Sequence, residues 1–275
     1  MDHIVKAAMA KWPNVPACTG WLALDRRGRF RMRDTACQAA GAPGEPIQHA
    51  ALNAFIARNY TADAEGRWFF QNGPQRVFVD LDYAPLVVRL HHGTAGHHAG
   101  TAHPEPILID QCSLPFIPSA CWCDAQGSIL FAGRRGTVTM ADADIGSNAD
   151  TTRDAALDAD VDAGGETVAL LCDQDLDLFL TLFPDAAQQL ASLLEAASST
   201  PDTAATQRNT SLPSVAGGDV TAATATDTDR IASLPGRRAE DAALYWPGNA
   251  IALRCGLIDA KDVPARFGFR PRPTV

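Results

Sequence analysis

The chain has 275 residues and an ordinary apolar fraction of 46%, enough for one large domain or two modest ones. Lys and Arg number 23 against 32 Asp and Glu, and the resulting −9 repels phosphate backbones, which excludes nucleic acid as the expected partner. No run approaches the roughly 18 apolar residues of a membrane span, and the early acid Asp2 argues against a secretory leader, so a soluble cytoplasmic protein with no membrane partner is expected.

Residues 2–11 read as a short helix that ends at Trp12-Pro13, because a residue before proline is pushed out of the α region. Trp21–Asp25 and Arg29–Arg33 read as strands around the turn Arg26-Arg27-Gly28, and 34–44 as a Gly/Ala-rich loop. Pro46 suits the first position of a helix, and Ile47, Ala51, Leu52, Phe55 and Ile56 recur at helical spacing down to Asn59. Asp63–Gly66 is a turn before the strand Trp68–Phe70. Asn72-Gly73 is the strongest short hairpin signal. From Gln75 to Asp82, Val77, Val79 and Leu81 share one face, and Arg76, Phe78, Asp80 and Asp82 the other. Leu86–Leu90 adds a further strand, so residues 21–90 read β-β-α-β-β-β.

His91–His103 reads as a Gly/His/Thr loop. Pro106–Ile109 and Leu114–Ile117 are short strands, Ala120–Cys123 and Ser128–Phe131 a second hairpin, and Thr137–Met140 one more strand. Residues 141–165 are Ala/Asp/Gly-rich and read as a solvated acidic insertion. Thr167–Cys172 is a buried-type strand. Asp173 then caps a helix carrying Leu176, Phe179, Leu180 and Phe183, and Pro184 separates it from a second helix over Asp185–Ala197. Residues 198–233 hold few large apolar groups and read as a disordered linker. Order resumes at Leu244–Trp246, runs through Ile251–Leu257 and closes on Arg266–Arg270, a terminal strand that docks Phe267 and Phe269.

The expected class is α+β, mainly antiparallel, with a helix packed on a small sheet and two subdomains. The first spans 12–92. The second spans 103–183 and recruits 244–275 across a helix-plus-linker segment, 184–243.

Several groups invite a functional reading, each against a plainer one. Gln71, Asn72, Gln75 and Arg76 surround the hairpin turn beside aromatics, a fan of donors and acceptors suited to a small molecule or peptide; turn chemistry and solvation also explain them. His91, His92, His97, His98 and His103 supply imidazoles dense enough for zinc, copper or nickel, but in a flexible loop with no interleaved Cys, Asp or Glu. Cys121 and Cys123 share a strand face, as half a metal site or as two small core residues. The seven cysteines are odd in number and irregular in spacing, which suits free thiols. Asp80 and Asp82 are either an acid–base pair or an edge balancing Arg76 and Arg89. Asp158–Asp162 looks like the start of a calcium loop, but Ala163 stands where glycine is needed and Ala169 where glutamate is. Arg266, Arg270 and Arg272 could grip an acidic partner. No phosphate loop, nucleophile elbow or metalloprotease helix is present.

Gly20–Gly28, the helix from Pro46-Ile47 to Phe55–Tyr60, Gly66–Val79 with Tyr83–Leu86, Leu170–Leu176 and Val263–Phe269 together resemble an uncharacterised proteobacterial family, a domain of unknown function. The layout is also similar to a second uncharacterised family with a small α+β half followed by a β-rich half. The resemblance implies a fold and a bacterial setting, and carries no activity and no site residues. The residues favour a non-enzymatic module that binds a protein or small molecule, with no cofactor. The alternatives are a metal-dependent enzyme using zinc at the His91–His103 loop, or a hydrolase using Asp80 and Asp82.

Overall fold

The computed structural model describes residues 1–92, 106–136, 165–198, 243–245 and 252–274. The element Thr137–Met140, the insertion at 141–165 up to residue 164, and all of the linker at 198–233 except Ser198 lie outside the described residues.

The first half builds a six-stranded sheet. Helix α1 (His3–Lys11) leads to β1 (Cys18–Leu24), β2 (Phe30–Met32), α2 (Thr35–Ala40), β3 (Glu45–Pro46), α3 (Ala50–Arg58), β4 (Tyr60–Ala62), β5 (Trp68–Asn72) and β6 (Gln75–Leu81). The spatial order is β3-β2-β1-β6-β5-β4, with every pair antiparallel except β1–β6. Alternation along β6 places Val79 and Leu81 in the main core with Leu22, Leu24, Trp68 and Phe70. Helix α3 covers that face, with Phe55 edge-on to Phe70 at 5.3 Å and Ile56 fully buried.

The second half is a small barrel. Strands β7 (Leu86–His92), β8 (Pro106–Asp110), β9 (Pro115–Cys123), β10 (Ile129–Arg135) and β11 (Thr167–Leu171) pair in a ring, because β10 bonds both β9 and β11 while β11 returns to β7. Closure removes the exposed edges of an open sheet. A 3₁₀ turn at Asp173–Asp175 precedes α4 (Leu176–Leu182) and α5 (Pro184–Ser198). Phe179 of α4 packs edge-on against Phe131 at 6.0 Å. Strand β13 (Ala252–Leu257) joins β9 in parallel and carries β12 (Ala243–Tyr245) at the outer edge. Helix α6 (Val263–Phe267) follows, and one apolar cluster runs from Leu22 to Phe269 through both sheets.

The α+β class stands, with α3 packed on a small sheet, and three parallel pairs are added to the antiparallel majority: β1–β6, β11–β7 and β13–β9. Several local expectations are corrected. Pro46 does not open α3: Glu45-Pro46 pairs with β2 as an edge strand, where a missing N–H costs nothing, and His49 caps α3 through Nδ1 at 3.2 Å from the Leu52 amide. The 34–44 stretch is not all loop; Asp34 caps α2 and Gly41 ends it in the left-handed region. Asp173 starts a 3₁₀ turn and caps no helix. The terminal segment is not a strand at Phe267: α6 runs to that residue, and Gly268 at φ 67° ends it. Strand β7, placed with the first half on sequence, pairs in the second sheet and reaches His92.

Four turns share one design. Asp25, Asp63, Asp110 and Asp124 each end a strand, and each Oδ1 accepts from the amides two and four residues on, at 2.8–3.1 Å. The residue three beyond each aspartate has positive φ: Gly28, Gly66, Ser113 and Gly127. The aspartate supplies the turn's acceptor and the left-handed residue reverses the chain.

Candidate functional site

The turn at Asp25–Arg29 is one place where the two halves meet. The Arg26 guanidinium donates to Ser128 Oγ at 2.7 Å and lies over the Tyr83 ring at 4.1 Å. Arg27 pairs with Asp173 at 2.7 Å. A β-carbon at Gly28 would lie 3.1 Å from Gln111 Cβ and 3.4 Å from Val87 Cβ, so the absence of a side chain lets the turn close on the barrel.

Beside this junction lies a cleft of about 420 Å³, lined by Gly28, Arg29, Phe30, Pro46, Ile47, Gln48, Asn53 and Gln111. Three segments build it: the β1–β2 turn, the β3–α3 approach and the β8–β9 turn of the barrel. Its size falls within the range of small-molecule sites, about 300–1,000 Å³. Gln111 is a fixed wall, accepting from the Val87 amide at 2.9 Å and donating to the Pro85 carbonyl at 3.2 Å. Asn53 Nδ2 donates to the Ile47 carbonyl at 2.7 Å, which leaves its other N–H and Oδ1. Half-buried Pro46 and Ile47 supply apolar surface, and core residue Phe30 lies behind them. Arg29 is the one charged side chain of the eight, and none of them is a nucleophile. Sequence alone offered no signal for this grouping. Arg29 read as a strand residue and Asn53 as a helix residue, and only the docking of two turns brings them together.

The hairpin residues do cluster, since Gln71 faces Arg76 and Asn72 faces Gln75 in register. Some of their polar groups are engaged within the chain. Gln71 is buried and donates to the Gly73 carbonyl at 2.8 Å, while its Oε1 has no partner. Gln75 donates to the Pro16 carbonyl at 3.1 Å, and the Arg76 guanidinium lies over the Phe69 ring at 4.8 Å.

Residues 1–274 match the family described as "Protein of unknown function (DUF2946)". The chain belongs to that family. No curated protein and no solved structure matches it. The match spans both sheets.

Of the histidines expected as metal ligands, His91 and His92 are the last residues of β7, where they face Ile107 and Pro106 in register; His91 is exposed. His97, His98 and His103 lie outside the described residues. Among the described residues no group of three or more His, Cys, Asp and Glu is placed to hold a metal, and no helix is long and apolar enough to cross a membrane.

Cys121 and Cys123 are core residues, 0% and 1% exposed. Cys121 sits opposite Cys255 of β13, and the hydrogen bond between these thiols, with burial, pushes Cys121 well up. Burial raises Cys123 to about 11 and Cys112 to about 12, so both stay protonated at neutral pH.

The carboxylates Asp80 and Asp82 do not line the cleft. Asp80 is buried and held by Arg33 and, at 3.2 Å, by Arg272. Asp82 is exposed at the end of β6; partial desolvation raises its carboxyl, with Arg272, Arg31 and Arg33 pulling the other way. Asp80 thus anchors the C-terminal segment. Arg266 stacks on Trp122 at 4.1 Å.

Proposed function

We propose that the chain is a binding module that takes a small ligand in the cleft between its two halves. The observation that carries this reading is the lining itself. One guanidinium, the unspent polar groups of Gln48 and Asn53, and the apolar surface of Pro46 and Ile47 converge on a space of about 420 Å³. That mixture of apolar surface and a few oriented polar groups is the make-up of a small-molecule site. The lining offers recognition without a nucleophile or an acid–base group, which favours binding over catalysis. Because the walls come from both halves, a ligand there stabilises their docking.

The test is a thermal-melt screen of the full chain against a broad small-molecule library, with Ile47→Trp filling the cleft. Ligands of the cleft raise the melting temperature of the wild type and of Gln75→Ala/Arg76→Ala, and leave Ile47→Trp unmoved. Shifts that survive Ile47→Trp and vanish in the hairpin variant would place the site at the hairpin and overturn this reading.

A further inference from the structure

We propose that the cleft selects a small monocarboxylate with an apolar body, gripped by Arg29; this rests on the reading of the cleft as the binding site. The argument starts from how Arg29 is held. Its backbone amide donates to Asp25 Oδ1 at 2.9 Å and its Nε to Asp25 Oδ2 at 2.8 Å. The first bond holds the backbone and the second tethers the guanidinium through Nε. Neither terminal nitrogen has a partner among the described residues, and the side chain is 49% exposed, so a fork of N–H donors stands ready on a pre-set group.

Asp25 does not neutralise that fork. The same Oδ2 also takes Arg31 Nε at 2.8 Å, so one carboxylate charge is shared by two guanidiniums. The remaining Arg31 contact, Nη1 to the Gly44 carbonyl at 2.7 Å, is to a neutral acceptor. Across the same sheet face Arg33 and Arg272 share Asp80. With Asp82 counted, four guanidiniums meet three carboxylates, a local surplus of positive charge on a chain of −9. Beyond about 10 Å the acidic remainder is screened by salt, so the local sign governs.

The charge surplus is single, which suits a carboxylate over a phosphate monoester carrying nearly two negative charges. Next to the fork, Pro46 and Ile47 receive an apolar body, and Gln48 and Asn53 offer neutral hydrogen bonds at its rim. The selected class is therefore an aryl- or alkyl-carboxylic acid small enough for the cleft.

The test is calorimetric titration of the full chain with a panel of aryl and C4–C10 alkyl monocarboxylates, each beside its neutral primary amide and its phosphate-ester counterpart. The chains compared are wild type, Arg29→Gln, Arg29→Lys and Ile47→Trp, with urea midpoints checking that each folds. At least one carboxylate binds the wild type at least tenfold tighter than its amide and its phosphate counterpart. Arg29→Gln erases that preference, Arg29→Lys keeps part of it, and Ile47→Trp abolishes binding. Amides or phosphates that bind as well as the acids, while still failing in Ile47→Trp, would overturn the carboxylate assignment and leave the cleft reading intact. No panel member sensitive to Ile47→Trp would overturn both.

Discussion

A β-carbon on Gly66 would lie 1.9 Å from the carbonyl oxygen of Gly268. This contact locks the β4–β5 turn to the C-terminal segment. The Arg270 amide donates to the Gly66 carbonyl at 2.9 Å, and the Leu81 amide donates to the Pro271 carbonyl at 2.8 Å. Gly66→Ala therefore meets two penalties, a positive φ of 73° and a backbone clash. Gly73, at φ 56°, has nothing within 4 Å of its notional β-carbon and carries the first penalty alone. Gly73→Ala costs about 1 kcal/mol, and Gly66→Ala at least about 3 kcal/mol. Urea unfolding of the two variants separates them. Equal midpoints would mean that the C-terminal segment is not held at this turn.

Ser113 is the left-handed residue of the β8–β9 turn, at φ 64°, where the other three turns of this design have glycine. A side chain there strains the backbone by about 1–2 kcal/mol, and glycine returns part of that as unfolded-chain entropy. Ser113→Gly therefore raises stability by about 0.5–1 kcal/mol. Chemical denaturation reads the gain directly, and a loss would contradict it.

Asp175 makes stability pH-dependent. It accepts from Arg89 Nε at 2.6 Å and Nη2 at 2.8 Å, and from the Leu90 amide at 2.9 Å. Burial works to raise its carboxyl, but the Arg89 guanidinium and the Leu90 amide outweigh it and hold it below its ordinary value. Asp25 and Asp63 are lowered in the same way, against burial, by the amides and guanidiniums of their own turns and, for Asp25, by Arg31 of β2. A lowered folded pKa means that the unfolded chain takes up protons first. This stability is complete above the unfolded value of about 4 and is lost as pH falls through the folded values. The urea midpoint is flat from neutrality to about pH 5 and drops below about pH 4. Asp175→Asn is less stable than wild type at pH 7, and the gap narrows toward pH 3. A gap that stays constant with pH would remove Asp175 from the account.

The sequence carried the fold further than the site, for physical reasons. Period-two alternation along Gln75–Leu81 and the Asn72-Gly73 turn encode a hairpin in adjacent residues, and they fold as read. The parallel pairing of Cys18 with Val77, and of Leu22 with Val79, joins segments far apart in sequence and leaves no mark in either alone. Three of the four aspartate turns show as turns because glycine stands three residues on. The fourth is hidden by Ser113 in glycine's place. The cleft was invisible because its residues serve local roles in their own segments. Only the spacing between Gly28 and Gln111 makes them neighbours.

That same hidden turn carries a buried charge pair. Asp110 Oδ2 accepts from Arg135 Nε at 2.5 Å, and the Asp110 side chain is 0% exposed. Its Oδ1 still holds the turn through the amides of Cys112 and Leu114. Arg135 also donates to the Tyr60 carbonyl at 3.1 Å, so the pair ties the barrel to β4. Asp110→Asn keeps an acceptor for the turn amides but places an uncharged group against a buried guanidinium. Leaving one buried charge without its partner costs about 3–5 kcal/mol, or roughly 10 °C in melting temperature for a chain of this size. Asp110→Asn/Arg135→Met removes both charges and recovers more than half of the loss, because an apolar side chain of similar length tolerates that site. Gln111, the cleft wall, is the next residue on this turn, so ligand shifts in Asp110→Asn shrink along with stability. The double variant restores both. Recovery of stability without recovery of the ligand shift would show that the cleft wall is held by something other than this turn.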